Sequence, residues 1–174
     1  MKPIVISTAL ALGATGALAH ATLETQSAVA GSTYKGVMRI GHGCDGEATL
    51  RVDIHIPEGV IAVKPMPKPG WTLTSTTGTY DQSYDHYGDT LTEGVKTLTW
   101  EGSLDDAHYD EFTFRAKLAG DWSEGDMVFF PTLQTCANGT AEWMTIPAAG
   151  QDPHDLNGPA PGLKIKTDHS AHDH

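Results

Sequence analysis

Residues 48–56, ATLRVDIHI, alternate apolar and polar side chains without a break. Leu50, Val52, Ile54 and Ile56 fall on one side, and Arg51, Asp53 and His55 on the other. A period of two belongs to a strand with one buried face. Residues 111–118, EFTFRAKL, repeat the pattern with Phe112, Phe114, Ala116 and Leu118 inward. Further strands are expected at 21–27, 33–40, 60–64, 71–78, 95–101, 126–135 and 140–146. Turn formers separate them: His42-Gly43 with Asp45-Gly46, Pro57-Glu58-Gly59, Pro65 to Gly70, and Asn138-Gly139. No stretch sustains a helical period. Roughly seven to nine short strands at this spacing predict an all-β fold, an antiparallel β-sandwich of immunoglobulin-like type, for which a small barrel is the alternative. Residues 147–163 are rich in Pro and Gly and read as a coil that wraps the domain or as a linker. Residues 164–174 are polar and are expected to be a disordered tail.

The first 19 residues, MKPIVISTALALGATGALA, carry a basic start at Lys2, an apolar middle and Ala17-Leu18-Ala19 at the end. That is the pattern of a secretory signal peptide with an A-x-A cleavage site. The apolar stretch is short and interrupted by Gly13 and Gly16, so it does not read as a membrane span. The expected product is exported, periplasmic or secreted, without a membrane anchor, and starts at His20. The 174 residues, less this leader, suit one domain spanning 20–163. A net charge of −11 argues against a nucleic-acid partner and for attraction of cations.

Cys44 and Cys136 are far apart and form no C-x-x-C motif. In an oxidising compartment a small even number of cysteines points to a disulfide, with a thiolate metal site as the rival reading. A bond would tie the 41–46 turn to the loop just before Trp143.

Cleavage after Ala19 gives His20 two nitrogens for one metal, the freed α-amine and the ring Nδ1. An α-amine titrates near 8, so near neutral pH the metal displaces one weakly held proton. Amine plus imidazole suits Cu(II), which leads the divalent affinity order. The other amino-terminal copper site needs histidine at the third position, which here is Thr22.

The signal followed directly by His20-Ala21-Thr22, then Ala30-Gly31-Ser32, Pro69-Gly70-Trp71-Thr72, Glu111-Phe112 and Glu142-Trp143, occur in an order and spacing that resemble the YcnI-like copper-binding domain family, formerly a domain of unknown function of the DUF1775 type. The resemblance runs from His20 to about Gly162. It implies a β-sandwich and one Cu(II) held by a monohistidine brace: the N-terminal histidine, a carboxylate and a nearby tryptophan. Carried over, His20 supplies amine and Nδ1, Glu111 is the first choice of carboxylate, Glu24 is its rival, and Trp143 is the tryptophan. Glu111 lies opposite the Phe112 and Phe114 row, and Glu24 shares a strand face with His20. Trp71 reads as packing.

His169, His172 and His174, with Asp168 and Asp173, make a tail that can collect divalent metal weakly. His42, His55, His86, His108 and His154 read as surface histidines. Met38, Met66, Met127 and Met144 do not cluster, so no methionine-rich Cu(I) site is expected. The leading functional expectation is a non-enzymatic protein that buffers Cu(II) or delivers it to a periplasmic copper chaperone or a membrane copper transporter. A polysaccharide-cleaving copper oxygenase would need a second histidine, for which His108 is a candidate without supporting spacing. An adhesion or interaction sandwich would leave His20 incidental.

Overall fold

Alternation and turn chemistry place most of the strands, and where they end is decided by proline, by bulges and by switches between sheets. The computed structural model describes residues 20–168. The signal-peptide expectation for 1–19 and the tail histidines His169, His172 and His174 lie outside the described residues.

The strands are β1 Thr22–Leu23, β2 Ser27–Val29, β3 Thr33–Ile40, β4 Thr49–His55, β5 Val60–Pro65, β6 Thr72–His86, β7 Asp89–Leu104, β8 Asp110–Leu118, β9 Met127–Phe129, β10 Thr132–Cys136, β11 Thr140–Trp143 and β12 Gly162–Lys166. A single 3₁₀ turn, Pro153–Asp155, is the only helical element among the described residues. The strands form a four-stranded sheet ordered β1-β3-β8-β5, a five-stranded sheet ordered β11-β10-β4-β7-β6 and a small sheet ordered β2-β12-β9. All pairings are antiparallel except β2 with β12. Phe112, Phe114, Ala116 and Leu118 are buried as their alternation requires, and they meet Val52, Ile54, Leu98 and Trp100 from the second sheet.

Three departures from the sequence reading have local causes. Leu50 is 40 % exposed while Thr49 is fully buried. The register of β4 shifts against both β7 and β10 at Thr49–Arg51, and a shift exchanges inward and outward positions. The expected strand 126–135 divides into β9 and β10 around Pro131, which cannot donate to a ladder. This break moves the chain from the small sheet to the five-stranded one, as the gap between β1 and β2 moves it from the four-stranded sheet to the small one. The expected tail from residue 164 instead begins inside β12, where Leu163 and Ile165 are fully buried.

The expected strands 71–78 and 95–101 continue into one long hairpin, β6–β7. Its turn is Tyr87-Gly88, with φ of 56° and 90°. Two consecutive positive φ values match the twist of paired strands. The sequence lacks the usual Asn-Gly signal there.

Asp53 lies on the face expected to be polar, yet it is 5 % exposed. Arg51 donates to both its oxygens, at 2.7 and 2.8 Å, and Thr99 Oγ1 donates at 2.5 Å. Burial pushes the carboxyl up, but the hydrogen bonds from Arg51 and Thr99 and the Arg51 charge outweigh it and hold the pKa below its ordinary value. A depressed carboxylate stabilises the fold above the unfolded value near 3.9, and that contribution disappears as pH falls through the folded value. Arg51→Ala is expected to lower stability by about 1–3 kcal/mol at pH 7, because it leaves a buried acceptor short of donors. The deficit should shrink in urea melts at about pH 3, where the carboxyl is protonated in the unfolded chain.

Candidate metal centre

His20 is placed by its neighbours. Ala21 and Leu23 are buried, and Thr22 and Leu23 pair with Arg39 and Met38 of β3. The chain therefore enters along the edge of the four-stranded sheet, with His20 half-buried just before the pairing begins. β11 is the matching edge of the five-stranded sheet and carries Trp143. The two rings meet edge-on, with centroids 5.4 Å apart and planes at 83°. The contact spans the two sheets at one side of the sandwich.

Trp143 is held from behind. Its ring is 8 % exposed, and Nε1–H donates to Gln134 Oε1 at 3.3 Å. Gln134 Nε2 donates in turn to the His42 carbonyl at 2.6 Å and to Thr49 Oγ1 at 2.7 Å. The indole N–H therefore points into the protein, and the ring keeps an edge contact with His20. Cys44 and Cys136 are disulfide-bonded, which fastens the 41–47 turn to β10, the neighbour of β11. The Glu47 carboxylate reinforces this link by accepting from the Asn138 side chain at 2.6 Å and the Asn138 backbone at 2.8 Å. Those bonds, the side-chain one foremost, lower the Glu47 pKa. The expected disulfide is in place, with Cys136 at the end of β10 rather than in the loop before Trp143.

The two candidate carboxylates come together on the outer face of the other sheet. Thr22 pairs with Arg39, and Arg39 with Glu111, so the three stand in one row across β1, β3 and β8. Arg39 Nη2 lies 3.0 Å from Glu24 Oε1, and its Nε donates to Glu111 Oε1 at 3.2 Å. Glu111 points away from the core, as its alternation predicts. Among the described residues, no three His, Cys, Asp or Glu side chains gather closely enough to hold a metal between them. A brace does not need three residues, because His20 alone brings two nitrogens. Both acids are about 40 % exposed and paired only with one exposed arginine. Such pairs contribute roughly 0–1 kcal/mol, so either carboxylate is cheaply released toward a cation. Among the described residues, His20 and these two carboxylates do not gather into one cluster.

Trp71 packs edge-on against Phe112 at 4.9 Å, which is the packing role expected of it. His108 sits in the β7–β8 turn, where its N–H donates to the Asp105 carbonyl at 3.0 Å.

Sequence reasoning missed one residue that shares a groove with His20. A groove of about 230 Å³ is lined by His20, Gln26, Met127, Phe129, His154 and Pro161 among others. His154 comes from the Pro/Gly-rich segment, which proves to be an ordered wrap rather than a linker. Thr145 N–H donates to the Gly158 carbonyl at 3.0 Å, Ala160 N–H to the Thr145 carbonyl at 2.8 Å, and Thr145 Oγ1 to the Asn157 carbonyl at 3.1 Å. Gly158 has φ +64°, and a Cβ there would stand 1.9 Å from the Glu142 carbonyl oxygen. Gly158→Ala is therefore expected to cost about 1–3 kcal/mol through the strained backbone alone. Faster amide exchange over 145–160 than in β3 and β8 would show that the wrap has loosened.

Residues 20–165 match the family model described as a domain of unknown function, DUF1775. The chain belongs to this family. The match to DUF1775 begins at His20 and runs into β12, so it takes in every strand and the wrap. No curated protein matches the chain. A crystal structure described as an uncharacterized protein from Nocardia farcinica with an immunoglobulin-like fold is similar over 85 % of this chain and 99 % of that one, with a TM-score of 0.60 and 21 % identity. At that identity the likeness concerns the fold, and this DUF1775 chain is accordingly an immunoglobulin-like β-sandwich.

Proposed function

We propose that this DUF1775 domain is an exported copper-holding protein that binds one Cu(II) through a monohistidine brace. In that reading the signal peptide is removed after Ala19 and the α-amine and Nδ1 of His20 chelate the ion. Glu111 or Glu24 adds a carboxylate once released from Arg39, and Trp143 walls the site. The observation that carries it is the seat of His20: the residue that would become the N-terminus is anchored by β1 and set edge-on against a tryptophan fixed from behind. The resemblance to the YcnI-like copper-binding family, the acidic charge and the leader pattern point the same way. The protein would buffer copper in the periplasm or hand it to a copper chaperone or membrane transporter, with no reaction of its own.

Titration of Cu(II) into a chain beginning at His20 tests the reading, with His169→Asn, His172→Asn and His174→Asn removing the tail as a metal source. One equivalent should bind tightly. The same chain with two residues placed ahead of His20 should lose that site, and equal affinity in both would contradict the reading.

A further inference from the structure

We infer that the outer face of the four-stranded sheet is a docking groove for an acidic peptide segment of a partner protein, one with apolar side chains beside its carboxylates. The inference goes beyond the copper reading and does not depend on it. Lys35, Arg115 and Lys64 stand in one row across β3, β8 and β5, because Arg115 is in register with both lysines. All three are exposed, and among the described residues none of them has an ion pair. Like charges directly opposite one another across strands destabilise a sheet. The chain has ample means to avoid this, with 22 acids against 11 lysines and arginines. It does so elsewhere: Arg39 meets Glu24 and Glu111, Lys68 meets Asp110, and Lys96 meets Glu58. The row is thus an unmatched cationic site in an acidic protein.

A groove of about 490 Å³ runs beside the row. Pro65, Met66, Pro67 and Phe114 supply apolar surface to it, and Met66 is 54 % exposed. The backbone there is fixed: Pro65 pairs with Phe114, and Met66 N–H donates to the Thr113 carbonyl at 2.8 Å. Pro65 and Pro67 have no N–H to offer, so the β5 edge is closed to a further strand and a ligand lies across the face. Neighbouring strands are about 4.8 Å apart, so the three cations span roughly 10 Å. Alternate residues of an extended peptide are about 7 Å apart, which brings its carboxylates within reach of these long side chains. A charge of −11 repels the whole chain from an anionic bilayer, whereas a short acidic segment meets only the local row. Glu111 lies on the same face four residues before Arg115, about 13 Å along β8. A partner seated in the groove is therefore also held close to the Arg39 clasp.

Fluorescence anisotropy without metal tests this on the chain starting at His20. The probe is a labelled peptide with a run of glutamates followed by leucine and phenylalanine. It should bind, and more weakly as salt rises. Lys35→Thr, Lys64→Thr and Arg115→Thr together should lower the affinity about tenfold or more, as the loss of three exposed ion pairs implies. Met66→Ser should weaken it severalfold through the apolar part of the groove. Threonine suits exposed strand positions, and removal of the like-charge row should raise the urea midpoint, which separates lost binding from lost fold. No binding, equal affinity in parent and triple variant, or equal affinity for the peptide with lysine in place of glutamate overturns the inference. Binding to phosphatidylglycerol vesicles but not to the peptide would assign the face to a lipid surface and overturn it as well.

Discussion

Placing two residues ahead of His20 should weaken Cu(II) binding about a hundredfold or more, equivalent to about 3 kcal/mol. The extension converts the α-amine into an amide, which is not a donor near neutral pH, and leaves the ring Nδ1 alone. A second donor on the same residue meets the ion as an intramolecular event, and that advantage disappears with the amine. The pH dependence should change with it. With a free amine near 8, affinity rises as pH climbs toward that value, because a proton is released on binding. With the extension, that part of the pH dependence should vanish. Fold stability without metal should be the same in both, since the anchors Ala21 and Leu23 are untouched. A similar loss on removing the tail histidines instead would place the copper on the tail.

The second large effect concerns the disulfide. Cys44→Ser with Cys136→Ser should lower stability by roughly 2–5 kcal/mol, since a bond spanning 92 residues removes much freedom from the unfolded chain. Urea unfolding of the two proteins measures this, and a difference below about 1 kcal/mol would contradict it. The bond also holds the 41–47 turn against β10, and the His42 carbonyl in that turn accepts from Gln134, which in turn accepts from Trp143. Loss of the bond should therefore loosen the seat of His20 as well. The folded double variant should bind Cu(II) more weakly than the parent.

Much of this architecture could be read from side-chain alternation. Phe112 to Leu118 and Val52 to Ile56 needed only their period of two, because both strands bury one face against the opposite sheet. Leu50 broke the same rule because the register shift beside it depends on the partners β7 and β10, which lie far away in sequence. The β6–β7 extension was hidden for a different reason. Its strands are largely exposed and threonine-rich, so they carry no apolar period, and Tyr87-Gly88 is a weak turn signal. β12 was hidden by the Pro/Gly run before it and the polar tail after it, although Leu163 and Ile165 alternate with Lys164 and Lys166.

The candidate site was legible only in part. His20 stood out through the leader pattern expected before it, and Trp143 and Glu111 through the family landmarks. The Arg39 clasp between Glu24 and Glu111 arises from cross-strand register, which the sequence does not state. His154 had no local signal at all, since only the fold of the wrap brings it to the groove of His20.

A crystal structure of the chain beginning at His20, grown with one equivalent of Cu(II) and read by anomalous scattering at the copper edge, tests the central claim most directly. The account predicts one copper peak about 2 Å from both the amine and Nδ1 of His20, the usual length of a bond from a borderline metal to nitrogen, with Trp143 beside it. A copper peak elsewhere, with the His20 amine unligated, would contradict it.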